Sequence, residues 1–298
     1  MKKKYKGLSF EDKLFYGIVD VIMFLVLIMV LIPIIQLVSA SISEPSAVLQ
    51  GQVMLVPKGF SLDGYKAVFE DGKIMTGYAN SIFYTVAGTF IAVSVTIMIA
   101  YPLSRKDLVG GGIFMAMITF TMLFSGGIIP AYILMRDIHF INTRWVLIIP
   151  GALNAYNVII ARTFFANSIP KELLEAAKID GIGNIGFIRT IVLPLSKSIL
   201  VVLSLYYGVA IWNNWFSAYL YLSDVSKYPL QLILKQILFG NSTNMSASSG
   251  MSGDIGLDAL SESIKYACIM LSCVPLWILY PFLQKFFEKG VMIGSVKG

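Results

Sequence analysis

Charge is what this sequence has least of. Asp, Glu, Lys and Arg make up 13% of its 298 residues, against roughly 25% in a soluble domain, which excludes a water-solvated surface over most of the chain. Histidine is scarcer still: the single residue, His139, lies in a short polar stretch near Asp137 and reads as a solvated loop residue rather than a catalytic base. Of two cysteines, Cys268 and Cys273 fall five apart in one apolar segment, on different faces of a helix. They read as reduced packing residues, and a disulfide framework is excluded. No Gly-x4-Gly-Lys-Ser/Thr loop is present to cradle nucleotide phosphates, no metal-ligand spacing, and no convergent Asp/Glu/His set. The net charge of +6 does not mark a nucleic-acid partner, because the basic residues gather at the ends of apolar runs.

Apolar length is what the chain has in excess, with 57% hydrophobic residues. Six segments are read as spans of a hydrocarbon core about 30 Å thick, at about 15–40, 80–101, 111–134, 145–165, 195–220 and 264–284. The fold class is therefore an all-α membrane protein, one transmembrane domain over residues 1–298. Lys2-Lys3-Lys4, an apolar run and Val38-Ser39-Ala40 imitate a signal peptide. The run Ile18–Val38 exceeds the 7–15 residues of a signal core, so it is read as an uncleaved first span. Pro33 is expected to bend that span and Pro275 and Pro281 to kink the last. Ser125-Gly126-Gly127 with Pro130 should interrupt the third, and Pro150-Gly151 stands near the start of the fourth. Residues 43–79 form a polar excursion with a short helix near 63–70. A second, 223–262, contains the Ser- and Asn-rich run Asn241–Gly253, whose composition is consistent with disorder.

Basic residues orient these spans. With the N-terminus inside, fifteen of the 23 lysines and arginines face the interior, among them Lys2–Lys4, Arg105, Lys106, Lys171 and Lys178. Eight face outward: Lys58, Lys66, Lys73, Arg136, Arg144, Lys227, Lys235 and Lys265. The imbalance predicts both termini in the cytoplasm, and with them the stretch 168–194.

That stretch carries its own start and stop. Ser168 or Ile169 is expected at the cap and Pro170 in the first turn. Glu172 and Glu175 favour the N-terminal half of the helix dipole, and Gly181 after Asp180 ends it. About three turns are too short to stand alone in water, so the helix must dock. Its pattern is Glu175-Ala176-Ala177, three residues, Gly181, nine residues, Ile191-x-Leu193-Pro194. This resembles, without a gap, the EAA signature of ATP-binding-cassette (ABC) importer permeases.

The resemblance extends along nearly the whole chain and is to the carbohydrate-uptake branch of that family. It includes Asn80-Ser81, Ala100-Tyr-Pro-Leu-Ser-Arg105, Ile141-Asn-Thr-Arg-Trp145, Arg162-Thr-Phe-Phe165 and the Gly-punctuated tail 290–298. It covers the second permease subunit of the maltose importer and permeases of the LplC/YtcP type; the run 241–253 shows no family pattern, though its position matches the loop that probes the binding protein in the maltose system. The resemblance implies the type I importer fold, with 168–194 as a cytoplasmic coupling loop seated on an ATPase. Glu175, Ala176, Ala177, Asp180 and Gly181 would form the coupling contact, the two alanines as a small face allowing close approach. It also implies partners: a second permease, so a heterodimer, a cytoplasmic ATPase dimer, an extracytoplasmic sugar-binding lipoprotein, and membrane lipid. No cofactor belongs to this chain; ATP and Mg would be bound by the ATPase. The location implied is a bacterial-type cell membrane.

For a substrate path, aromatic faces stack on sugar rings and asparagine offers both donors and acceptors. Trp212, Asn213, Asn214 and Trp215 form the most polar aromatic cluster within a span, and Asn154 and Asn157, three apart on the fourth span, would share one helix face and line the same path. The competing reading is an interfacial aromatic belt with asparagines that bond neighbouring helices. A permease for a peptide, polyamine or phosphonate stays open, though no mid-span carboxylate awaits a cation. A polytopic enzyme acting on lipid-linked sugars is the remaining alternative.

Overall fold

The computed structural model describes residues 9–247 and 255–295. Helix is what an apolar chain must form in lipid, because every backbone N–H and C=O has to be met internally. α1 (Phe10–Ser41), α2 (Pro45–Leu49) and α3 (Asp63–Glu70) are followed by α4 (Gly72–Ser104), α5 (Gly111–Leu123) and α6 (Ile128–Asp137). A 3₁₀ turn at Arg144–Leu147 leads to α7 (Ala155–Ser168) and α8 (Lys171–Ile179). Then come α9 (Asn184–Phe187), a π-helical turn (Ile188–Val192), α10 (Leu193–Leu195), α11 (Lys197–Trp212), α12 (Phe216–Tyr221), α13 (Leu230–Ala247) and α14 (Ile255–Ser295). Among the described residues β pairing is confined to an isolated bridge between Ser43 and Phe60.

Three helical stretches are long and apolar enough to cross a membrane: α1, α4 and the part of α14 from Asp258 to Ile278. Two more qualify only as bent pairs, α5 with α6 at 114° and Asn184–Leu195 with α11 at 86°. The first bend lies at Ser125-Gly126-Gly127, where Gly127 takes φ 84°. The segment expected as a fourth span holds only the 14 residues of α7, short of the roughly 20 a span requires. The described residues thus carry three to five spans by length, where the sequence reads as six. α4 also begins at Gly72, ahead of the expected 80, and α14 runs to Ser295, taking in most of the tail. The run Asn241–Gly253 is helical as far as Ala247; residues 248–253, like 296–298, lie outside the described residues.

Contacts gather in two compact units, Met1–Asp71 with Ile237–Leu271, and Gly72–Gln236 with Ser272–Gly298. In the first, α1 exposes its apolar side chains from Leu14 to Ile35 and is buried only at Ser39, Ala40 and Ser41. There the chain folds back on hydroxyls: Ser39 donates to the Leu55 carbonyl (2.9 Å), Ser43 to that of Ser39 (2.6 Å), and the Tyr65 hydroxyl to Ser41 (2.9 Å). α3 lies so close to α14 that a Cβ on Gly64 would stand 2.9 Å from the Ser263 carbonyl oxygen. Cys268 is buried and Cys273 partly so, both as free thiols.

The second unit is built on α4, which packs along α7 and α11. Its largest core joins Tyr101, Phe165, Phe187, Val192 and Leu203, all buried. At the other end of α4, Tyr84 packs with Ile148, Leu222 and Leu232. Small residues let the helices close: a Cβ on Gly77 would clash with the Ile233 side chain, and one on Gly88 would meet Ile211 at 2.8 Å.

Candidate functional site

Two sites in the second unit hold the residues singled out from the sequence. The first is a cleft of about 570 Å³ between the 146–157 segment and α11–α12. Asn154 caps α7 instead of lying on it: its side-chain oxygen accepts from the Asn157 N–H at 3.2 Å, which satisfies one of the helix's open donors. Asn157, buried, and Asn214, half-buried, line the same cleft. Asn214 likewise spends its carbonyl locally, accepting from the Ser217 N–H at 3.2 Å. These two bonds fix which amide atom is oxygen and leave the side-chain NH₂ groups of Asn154 and Asn214 without a partner among the described residues.

The cleft's aromatic surface is tyrosine. Tyr156 and Tyr206 stand 51% and 43% exposed, with ring centroids 6.4 Å apart and planes inclined by 56°. Tyr207 is buried behind them, its hydroxyl 2.7 Å from that of Thr96 and accepting the Asn154 N–H at 3.2 Å. No charged side chain lines the cleft among the described residues.

Trp212, Asn213 and Trp215 do not join it. α11 ends at Trp212, so the four-residue cluster divides at the turn. Trp212 is buried, donating its indole N–H to the Ser272 carbonyl at 3.1 Å and packing edge-on to Tyr78. Asn213 is exposed and bonds back to the Val209 carbonyl (2.8 Å), while Trp215 lies under Lys235 Nζ at 4.5 Å from its centroid. The tyrosines were missed in favour of the tryptophans. Tyr207, Ala210 and Ile211 fall at helical i, i+3, i+4 spacing on α11 and mark the wall of the cleft, while Tyr206 stands one residue off that stripe.

The second site is the turn around α8. Pro170 is itself the N-cap, in place of Ser168 or Ile169, so Lys171 opens the helix. Asp180 caps its end and Gly181 follows with φ 75°, receiving the chain as only glycine does without strain. Space around Gly181 is open, so it is the backbone angle that requires glycine there. The expected pair of small contact residues divides. Ala177 is 2% exposed, packed into the core of Tyr101, Phe165 and Phe187, and cannot touch another protein. Glu175, Ala176 and Asp180 face outward. Beside α8, Arg105 ties the α4 end to the loop, donating through Nε to Asp107 (2.9 Å) and through Nη1 to Asn184 (3.0 Å). That bond, with Lys178 further off, holds the Asp107 carboxyl down at about 2.

No family model matches the chain. It is 40% identical over 292 residues to the polygalacturonan/rhamnogalacturonan transport system permease protein YtcP of Bacillus subtilis, covering 96% of this chain and 98% of that one. Protein LplC of the same organism is 39% identical, with 90% of each chain covered. The crystal structure of a bacterial ABC transporter involved in the import of the acidic polysaccharide alginate superposes with a TM-score of 0.83 at 34% identity, over 94% of this chain and 99% of that one. These likenesses define an integral membrane transport subunit rather than a catalytic protein. The chain belongs to the ABC importer permeases, in their carbohydrate-uptake branch. Permeases of this family work with a second permease, an ATPase and a binding protein.

Proposed function

We propose that this permease passes oligosaccharides, those rich in uronic acid among them, through the tyrosine–asparagine cleft, and that α8 couples this to an ATPase. The observation that carries the reading is the cleft itself. Two exposed tyrosine rings, and amide NH₂ groups left unpaired on Asn154 and Asn214, suit a sugar's apolar ring faces and its oxygens. The names of the relatives support the cargo class: one is a polygalacturonan/rhamnogalacturonan permease, and the structural neighbour imports alginate. With no lysine or arginine in the cleft, uronate carboxylates would be met by neutral amide donors and not held by ion pairs, which favours release over tight capture.

The remaining parts follow the family. A sugar-binding lipoprotein delivers the chain from outside, a second and different permease completes the path, and an ATPase dimer holds ATP and Mg. The exposed edge of α8, Glu175-Ala176 with Asp180, docks on the ATPase, and Gly181 sets the turn. When the ATPase closes, α8 moves with it, and α7 and α11 on either side swing as rigid bodies. The count of basic residues supports placing α8 and both termini in the cytoplasm.

Uptake by the complete transporter in proteoliposomes tests the cleft. Tyr206→Ala is expected to lower uptake of galacturonate oligomers about tenfold, the loss of roughly 1.4 kcal/mol at the stacking face, while Tyr206→Phe keeps most of it. Wild-type uptake in Tyr206→Ala combined with Tyr156→Ala would remove the cleft from the path.

A further inference from the structure

The sugar cleft leaves unexplained a second cavity, of about 320 Å³, between the end of α4 and the α7–α8 corner. Its floor is apolar, with Tyr101 and Phe165 buried and Ile169 and Leu174 half-buried. Four cations stand around it, Arg105, Lys106, Lys171 and Lys178, against the carboxylates of Asp107 and Glu175. Asp107 is already held by Arg105 and lies within the field of Lys178. Lys106 and Lys171 are exposed, and neither has an ion pair or side-chain hydrogen bond among the described residues. The cavity therefore carries net positive charge with two cations uncommitted.

Its depth follows from length. α4 has 33 residues, about 50 Å at 1.5 Å each, while the hydrocarbon core is about 30 Å thick and about 40–45 Å with its headgroups. α4 therefore overhangs the hydrocarbon core, and the change of lining from apolar to basic beside Tyr101–Ser104 marks this end as the one that meets the headgroups. Basic pockets between membrane helices at that depth suit lipid phosphates.

We propose that this cavity binds a phosphate-bearing anion, with Lys106 and Lys171 as its principal cations and a phospholipid headgroup as its source. The apolar floor distinguishes a lipid from free phosphate, because it receives the glycerol end of the molecule that inorganic phosphate lacks. A bound headgroup would bridge the α4 exit to the first turn of α8.

The test uses the assembled, delipidated transporter in neutral detergent, titrated in separate arms with phosphatidylglycerol, phosphatidylcholine and inorganic phosphate. Binding is read by native mass spectrometry and by the thermal shift. Phosphatidylglycerol is expected to bind at least tenfold tighter than phosphatidylcholine, and Lys106→Gln with Lys171→Gln to remove that preference. Lys106→Gln alone should lose about threefold, which keeps the test alive should the double variant fail to assemble. Lys58→Gln with Lys66→Gln, the same charge change elsewhere, should bind like wild type. Equal binding of phosphatidylglycerol by wild type and the Lys106 and Lys171 variants would overturn the site. Saturation by inorganic phosphate with no preference for phosphatidylglycerol would overturn the lipid as its source.

Discussion

Ala176 and Ala177 are adjacent in sequence and opposite in role. One is exposed; the other is enclosed by Phe165, Phe187 and Tyr101. Enlarging a side chain in a filled core forces neighbours off their rotamers at about 1–3 kcal/mol. Ala177→Leu is therefore expected to lower the thermal midpoint of the isolated permease, whatever its partner does. Ala176→Leu should leave that midpoint unchanged and weaken retention of the ATPase on affinity-purified complex. Finding the same loss of stability for both would refute the division of the pair. Asp107 gives a pH test at the same scale. Its folded pKa, about 2, lies below the ordinary value of 3.8. A depressed carboxylate stabilises fully above its unfolded pKa and loses that contribution as pH falls from about 4 toward 2. The difference in thermal midpoint between wild type and Asp107→Asn should accordingly stay constant from pH 8 to pH 5. A difference that changes across that range would mean the Arg105 contact is not what sets it.

Among the elements, α4 makes the clearest case of sequence turned into architecture. Asn80 donates its amide to the carbonyls of Ser226 (2.8 Å) and Tyr228 (3.1 Å), and Ser81 accepts the Leu230 N–H at 2.8 Å. One turn on, the Tyr84 hydroxyl donates to the Lys227 carbonyl at 2.8 Å. These side chains on one helix face latch the entry to α13: Asn80 and Tyr84 meet carbonyls that the loop's own backbone leaves open, and Ser81 meets the first N–H of the helix. Asn80→Ala removes both bonds from a buried side chain to a part-buried loop and should cost about 0.5–1.5 kcal/mol in thermal unfolding of the purified permease. Ser94→Ala, which removes only an exposed bond within α4, should stay within about 0.5 kcal/mol. Equal effects would deny the latch. Asn80-Ser81 was legible beforehand only as a family pattern; what it bonds lies some 146 residues away and has no local signature. α8 was legible almost to the residue because Pro170, Asp180 and Gly181 act within one turn. The division of the Trp212–Trp215 cluster was illegible for the opposite reason: composition cannot say that α11 ends inside it, sending one tryptophan into the core and the other beneath Lys235.

At the scale of the whole molecule, span count and orientation are one question. Lysine and arginine resist translocation, so a chain settles with its basic loops inside, and the count puts Lys58 outside and Ala176 inside. Between those positions lie α4, the α5–α6 pair and α7. Opposite sides require an odd number of crossings, which holds if the pair, though bent by 114°, traverses the membrane and α7 does as well. With Cys268 and Cys273 replaced by alanine, single cysteines at Lys58 and Ala176, both exposed, report this through a membrane-impermeant maleimide. Lys58→Cys is expected to label on intact cells and Ala176→Cys only after the membrane is opened. Labelling of both on intact cells would make the crossings even, so that either the glycine break at 125–127 returns the chain to the side it came from or α7, with 14 residues, fails to cross. α8 would then face away from the compartment that holds ATP, and its exposed edge could not be the coupling surface.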